Sequence, residues 1–166
     1  MNAFWSYFWP PLGLGLIVGI VAGDIAFRGR FGRNAVLAIG VALSIALAAL
    51  WHGPFGAADR FAAEIDRMVR VATVYNEIPE VTGHVHRGPL TRRVILSGPA
   101  DDFQRGQLVE IIGEIPGVES VSWSAGSAGI PLIAEGAAIA LLGFLFGLLV
   151  AYLRELRRRY NAEWNW

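Results

Sequence analysis

Three apolar runs limit what this chain can become. Residues Leu12 to Phe27, Ala35 to Trp51 and Ile130 to Leu153 contain no charged side chains except Asp24 and Glu135. A helix needs about 20 mostly apolar residues to cross roughly 30 Å of hydrocarbon. The first run gains length from an aromatic lead-in, Phe4, Trp5, Tyr7, Phe8 and Trp9, residues that favour the membrane–water boundary. Pro10-Pro11 there suits a helix start. The second run sits at the short end of the range and can also be read as a buried helix, but the basic turn before it and Trp51 after it favour a span. We therefore expect spans at about 9–27, 34–52 and 130–153, the first two forming a hairpin within residues 1–53. The overall hydrophobic content of 54% suits a membrane protein with a modest extramembrane part.

Arginine placement orients these spans. Arg28, Arg30 and Arg33 follow the first run, and Arg154, Arg157, Arg158 and Arg159 follow the third, within a basic and aromatic tail (154–166) that ends in Trp164 and Trp166. Basic residues in short loops stay cytoplasmic. Three spans then place both clusters on the cytoplasmic side of a bacterial inner membrane, with the N-terminus and the segment between spans two and three in the periplasm. No Lys or Arg precedes residue 28, so the first run lacks the basic leader of a secretory signal and is expected to be retained.

The spans carry small residues at helical spacing. Gly15, Gly19 and Gly23 line one face of the first, and Gly136, Ala140, Gly143 and Gly147 recur in the third. Small residues four apart let helix backbones approach closely in lipid. These faces either pack the chain's own helices together or dock on another subunit, or on a second copy. Asp24 and Arg28, one turn apart, read as a boundary ion pair. Glu135 lies about a turn inside the third span, where a carboxylate must be wetted, protonated or paired. It either snorkels outward or serves a partner or a proton relay.

Residues 57–123 form a polar island within an expected domain at 54–124, followed by a small-residue linker at 125–129. Phe61, Ile65, Met68, Ala72 and Tyr75 recur at helical spacing and predict an amphipathic helix from Ala57 to Tyr75. Val81, Gly83 and Val85 alternate with Thr82, His84 and His86, as in a half-buried strand. Arg87-Gly88-Pro89 signals a turn, and a second strand runs from Arg93. Asp101 or Asp102 caps a second helix with Phe103, Leu108, Ile111 and Ile112 facing inward, and Pro116-Gly117 leads into a last strand. The result is an α+β fold: three transmembrane helices with a small αββαβ two-layer sandwich between the second and third. Glu77-Ile78-Pro79-Glu80-Val81 is echoed 37 residues on by Glu114-Ile115-Pro116-Gly117-Val118.

Val94-Ile95-Leu96-Ser97-Gly98, a helix opened by Asp101, and Ile115-Pro116-Gly117-Val118-Glu119-Ser120-Val121 together resemble the BON domain, most clearly over residues 91–123. The connection from Val85 to Arg93, with Pro89 and Arg92-Arg93, and the attached spans depart from that family's pattern. The resemblance implies a small bacterial envelope module that binds membranes or envelope components, with no shared catalytic residues.

Motifs for chemistry are sparse. No phosphate-binding loop, dinucleotide fingerprint, zinc-protease helix or nucleophile elbow is present. A formal net charge of zero gives no bulk field for nucleic acid. His84 and His86 share a strand face that can hold a metal or simply be polar. His52, just past the second span, can ligate a haem or pigment or sit at the interface. No cofactor is expected. Arg87, Arg92 and Arg93 either meet an anionic lipid or subunit or form a solvated strand edge. Two readings follow: a non-enzymatic accessory or scaffold subunit of a larger membrane complex, respiratory or photosynthetic, and a stand-alone envelope binding or sensing protein.

Overall fold

The computed structural model describes residues 2–29, 32–124 and 129–163. Arg30, Trp164, Trp166 and all of the expected linker but Gly129 lie outside them. The elements run α1 (Ala3–Phe27), α2 (Arg33–His52), α3 (Ala57–Tyr75), β1 (Thr82–Arg87), β2 (Leu90–Ser97), α4 (Asp102–Gly113), β3 (Ser120–Ser122) and α5 (Leu132–Glu163). The chain divides into two compact units. One comprises residues 1–7 and 56–135, the other 8–55 and 136–166.

Three helices, α1, α2 and α5, are long and apolar enough to cross a membrane. α1 begins at Ala3, with Pro10 and Pro11 inside it, rather than at the prolines. Asn2 explains the earlier start, because its side-chain oxygen accepts the Trp5 N–H at 3.1 Å, as an N-cap does. The prolines remove only the donors that would reach the Ser6 and Tyr7 carbonyls. α5 also exceeds expectation, continuing as helix through Arg154–Arg159. Glu155 bridges Arg158 and Arg159 one turn on, at 3.0 and 2.8 Å, and such pairs favour continued helix.

In the helical unit α1 and α5 meet through glycine. A methyl group placed on Gly15 would strike the Ala140 carbonyl, and one on Gly19 the Phe144 carbonyl. One on Gly143 would strike the carbonyl of Leu12. A methyl on Gly147 would lie 2.8 Å from the Gly19 Cα, and one on Gly23 would lie 2.5 Å from the Ala151 Cβ. α2 joins through Gly40, Ser44 and Ala48, its buried row. A methyl on Gly40 would stand 2.7 Å from the Phe144 ring and 3.0 Å from Ala22.

The other unit holds a three-stranded sheet in the order β1-β2-β3. β1 and β2 are antiparallel, Val85 opposite Val94, and β3 runs parallel to β2, Val121 beside Val94. β2 starts at Leu90, three residues earlier than expected, because the hairpin turns within Gly88-Pro89. Val81, Val85, Val94 and Leu96 face Phe61, Ile65 and Val69 of α3 and Leu108 and Ile112 of α4, all buried. Burying each such side chain contributes about 1.5–3 kcal/mol.

Two helix faces differ from the sequence expectation. On α3 the core row is Ala57, Phe61, Ala62, Ile65, Val69 and Thr73; Met68 and Ala72 are half-buried and Tyr75 is 86% exposed. The helix has apolar residues on two sides, and the buried one is the side that carries Phe61, Ile65 and Val69. A methyl on Gly83 would lie 2.7 Å from Val69, so close approach of β1 selects that side. On α4, Phe103 is 73% exposed and Ile111 half-buried, leaving Leu108 and Ile112 as the anchors. Position is set at the start of that helix: Asp101 accepts the Gln104 N–H at 2.7 Å, and Gln104 Oε1 accepts the Asp101 N–H at 3.1 Å. This capping box aims Phe103 outward.

The repeated Ile-Pro segments both form hydrogen-bonded turns, but of different backbone type, since only the second has a positive φ at its third residue. Val81 N–H donates to the Ile78 carbonyl at 3.2 Å, and Val118 N–H to the Ile115 carbonyl at 3.0 Å. Gly117, at φ 113°, takes the third position of the second turn, where a positive φ favours glycine.

Candidate functional site

Arg92, on β2, is the hub of the sheet-containing unit. Its Nε lies 2.7 Å from one Glu135 oxygen and 3.0 Å from the other, and its Nη2 lies 3.7 Å from Glu119. The guanidinium also stands 5.8 Å from the centre of the Phe4 ring. The Arg92 carbonyl accepts the Glu119 N–H at 2.8 Å. The paired side chains of Arg92 and Glu135 are 21% and 16% exposed, so the ion pair is largely out of water. Glu135 thus meets its charge requirement through Arg92, 43 residues away in sequence.

Neighbouring contacts tie the same segments together. Thr91 pairs with Pro131 in an isolated bridge. The Tyr7 hydroxyl donates to the Leu132 carbonyl at 3.4 Å, and its ring meets Phe61 edge-on at 5.7 Å. The first turns of α1 and α5 are therefore held in one unit with the sheet, by a buried tyrosine and a paired carboxylate.

Arg87 and Arg93 also have partners within the chain. Arg87 bonds Asp66 at 2.8 Å, and Asp66 also accepts the Val85 N–H at 2.9 Å. Arg93 donates to the Ser122 hydroxyl at 2.7 Å and the Ser124 carbonyl at 3.0 Å. His84 is exposed, and His86 Nδ1 lies 2.9 Å from the Pro89 carbonyl. His52 ends α2, half-buried. Among the described residues, no group of three or more His, Cys, Asp or Glu is placed to hold a metal. On the exposed side of α3, Arg67 hydrogen-bonds Glu64 at 2.7 and 3.0 Å and holds its carboxyl below the usual glutamate range.

A groove of about 550 Å³ runs between α3 and the outer edge of β1, lined by Arg70, Thr73, Val74, Pro79, Gly83 and His84 among others. Because the Val85 N–H goes to Asp66, Val85 turns its backbone polar groups away from β2. By the two-residue period Gly83 does the same. A second feature flanks this groove: Val71 (58% exposed), Val74 (59%) and Tyr75 form an apolar row on α3 outside the core.

The glycines Gly15, Gly19, Gly143 and Gly147 are all taken up in the contact of α1 with α5, Gly23 packs on Ala151, and Gly136 is buried. α2 turns outward Ile39 and Leu43 together with Ala35, Ala38, Ala42, Ala46 and Ala49. The basic residues gather at one end of the helical unit. Arg28 lines a cleft with Arg154 and Arg158, while Arg33 and Arg159 line another with Phe27 and Tyr152. Asp24 and Arg28 pair at 3.9 Å. Arg157 is exposed.

The partners of Phe4, Glu119 and Asp66 carry no signal in the sequence, since each lies distant along the chain, whereas Gly40 is legible as a small residue of the second span. Three helices apolar enough to span a membrane, joined to a small α+β unit, fit a multi-pass membrane protein. Comparison with family models, with curated proteins and with solved structures returns no match.

Proposed function

We propose that this chain is a non-enzymatic protein of the bacterial inner membrane and serves as an accessory or scaffold subunit of a larger membrane complex, of respiratory or photosynthetic type. The observation that carries this reading is the apolar row Val71, Val74 and Tyr75 on α3. The row lies outside the core, and exposed apolar rows on an extramembrane helix mark contact surfaces. Within the membrane, docking falls to the exposed face of α2 that carries Ala38, Ala42, Ile45 and Ala49, because the glycine faces of α1 and α5 are occupied by one another. The gathering of both arginine clusters at one end of the helical unit supports a cytoplasmic position for that end and a periplasmic position for the α+β unit. The helix–strand–strand–helix–strand order supports reading residues 54–124 as a BON-like module.

A photo-crosslinking residue at Val71 or Tyr75, in tagged full-length protein purified in mild detergent, tests the proposal. Discrete adducts with co-purifying subunits are expected. A monomer with no companions and no adduct would sink it.

The groove at the β1 edge favours a second reading, an envelope binding or sensing protein. Arg70 and the outward backbone of Gly83 offer donors to an extended acidic segment or a cell-wall peptide. Retention of the full chain on isolated peptidoglycan, lost in Arg70→Gln, is the outcome that would favour it.

A further inference from the structure

The helical unit contains an apolar groove and a basic cleft, and α1 lines part of each. The groove, about 570 Å³, lies between α1 and α2 and is walled by Ile17, Val21 and Ile25 on one side and Ala35, Ile39 and Leu43 on the other. Its volume falls within the roughly 300–1,000 Å³ of ordinary ligand sites. Gly32, in the basic turn, also lines it. On α1, Ile17, Val21 and Arg28 share a helical face, at spacings of four and seven. Arg28 therefore lies on that face one turn beyond Ile25, the last groove residue of α1, and it lines the cleft with Arg154 and Arg158.

The charges in that cleft do not cancel. Asp24 lies 3.9 Å from Arg28, a long contact, and Glu155 is engaged by Arg158 and Arg159. Arg154 has no carboxylate partner among the described residues. The lining is thus three guanidiniums against two carboxylates, with Arg33 and Arg159 close by in the adjoining cleft. Guanidiniums recognise phosphate oxygens by paired N–H donors, and basic pockets between membrane helices bind anionic headgroups. We infer that this is a site for one anionic glycerophospholipid: an acyl chain lies in the α1/α2 groove, and Arg28, Arg154 and Arg158 hold the phosphate. A neutral headgroup leaves the surplus positive charge unmatched. A free phosphate leaves the groove unused.

Native mass spectrometry of the full chain tests this. The protein is released from bilayers of equal phosphatidylglycerol and phosphatidylcholine, and the lipid retained is counted. One phosphatidylglycerol should be retained in preference to phosphatidylcholine. A guanidinium near an anionic surface is worth about 1 kcal/mol, so Arg28→Gln with Arg154→Gln should lower retention roughly 30-fold. Both side chains are at the surface of the unit, and a monodisperse elution profile verifies that the double variant folds. Arg154→Gln alone should lower retention roughly 5-fold, whereas Arg157→Gln, which removes one charge from the same helix outside the cleft, should retain the lipid. Equal loss in Arg157→Gln would mean a diffuse electrostatic layer and overturn the site. Equal retention of the two lipids by the unaltered chain, or displacement by inorganic phosphate alone, would also overturn it. Ile39→Trp, which fills the groove without changing charge, should reduce retention; unchanged retention would overturn the acyl-chain assignment.

Discussion

Replacing Gly19 by alanine tests the seam between α1 and α5. The added methyl would strike the Phe144 carbonyl oxygen and lie 3.0 Å from the Gly147 Cα. Carbon–carbon contacts prefer about 3.5–4.0 Å, so the shortfall is about 0.5–1 Å. Both obstructing groups are backbone and cannot rotate away, so the helices must separate. A gap of that size forfeits about a quarter to a half of each contact along the seam, and overpacking of this kind costs about 1–3 kcal/mol. Higher helix propensity returns about 1 kcal/mol, leaving a net loss of roughly 0–2 kcal/mol, against a gain at the control position. Gly13 is the control, since a methyl there meets nothing within 4 Å. Gly13→Ala should be neutral or stabilising by about 0.5–1 kcal/mol. Unfolding in mixed micelles of rising dodecyl sulfate content, followed by tryptophan fluorescence, measures both. Gly147→Ala extends the test, because its methyl would lie 2.8 Å from the Gly19 Cα. Once one substitution has parted the helices the second costs less, so the double variant should fall short of additivity by at least about 0.5 kcal/mol. If Gly19→Ala proves as harmless as Gly13→Ala, the close approach of α1 and α5 is refuted.

Three further outcomes follow from the sheet-containing unit. Arg92→Ala and Glu135→Ala should each destabilise by about 1–3 kcal/mol, below the 3–5 of a fully buried pair because both side chains keep some solvent contact. A double-mutant cycle by thermal unfolding should show strong coupling, and additive losses would mean the pair is not formed. Asp101→Ala removes the capping box of α4 and should cost about 0.5–2 kcal/mol, with amide exchange accelerating first at Phe103 to Gln104; uniform protection would contradict this. For Glu64, the carboxyl is lowered in the folded chain, so its contribution is present above the unfolded glutamate value and is lost as pH falls through the lowered folded value. A carbon-detected titration should place its midpoint below the ordinary glutamate value, and Arg67→Gln should raise it; a midpoint indifferent to Arg67 would refute the pairing.

Sequence alone determined the parts of this protein that depend on neighbours along the chain. Apolar runs of membrane-crossing length, the basic clusters after them, the α3 and α4 helices, the Asp101 cap and the alternation at Val81, Val85, Val94 and Leu96 are local or periodic properties. Each can be judged from length, spacing and residue type. Tertiary structure decided what depended on approach from elsewhere. α3 carries two apolar sides, and only the proximity of β1 at Gly83 decides that Val69 and Thr73 face the core while Val71 and Tyr75 do not. The glycine rows of α1 and α5 announce close packing but not the partner, because a small residue lowers the barrier to any backbone. The structure shows that they pack on each other. Arg92 and Glu135 read separately as a strand-edge cation and an awkward membrane carboxylate. Their pairing spans 43 residues, and no local rule records it, since electrostatic attraction depends on distance in space and not on position in the chain.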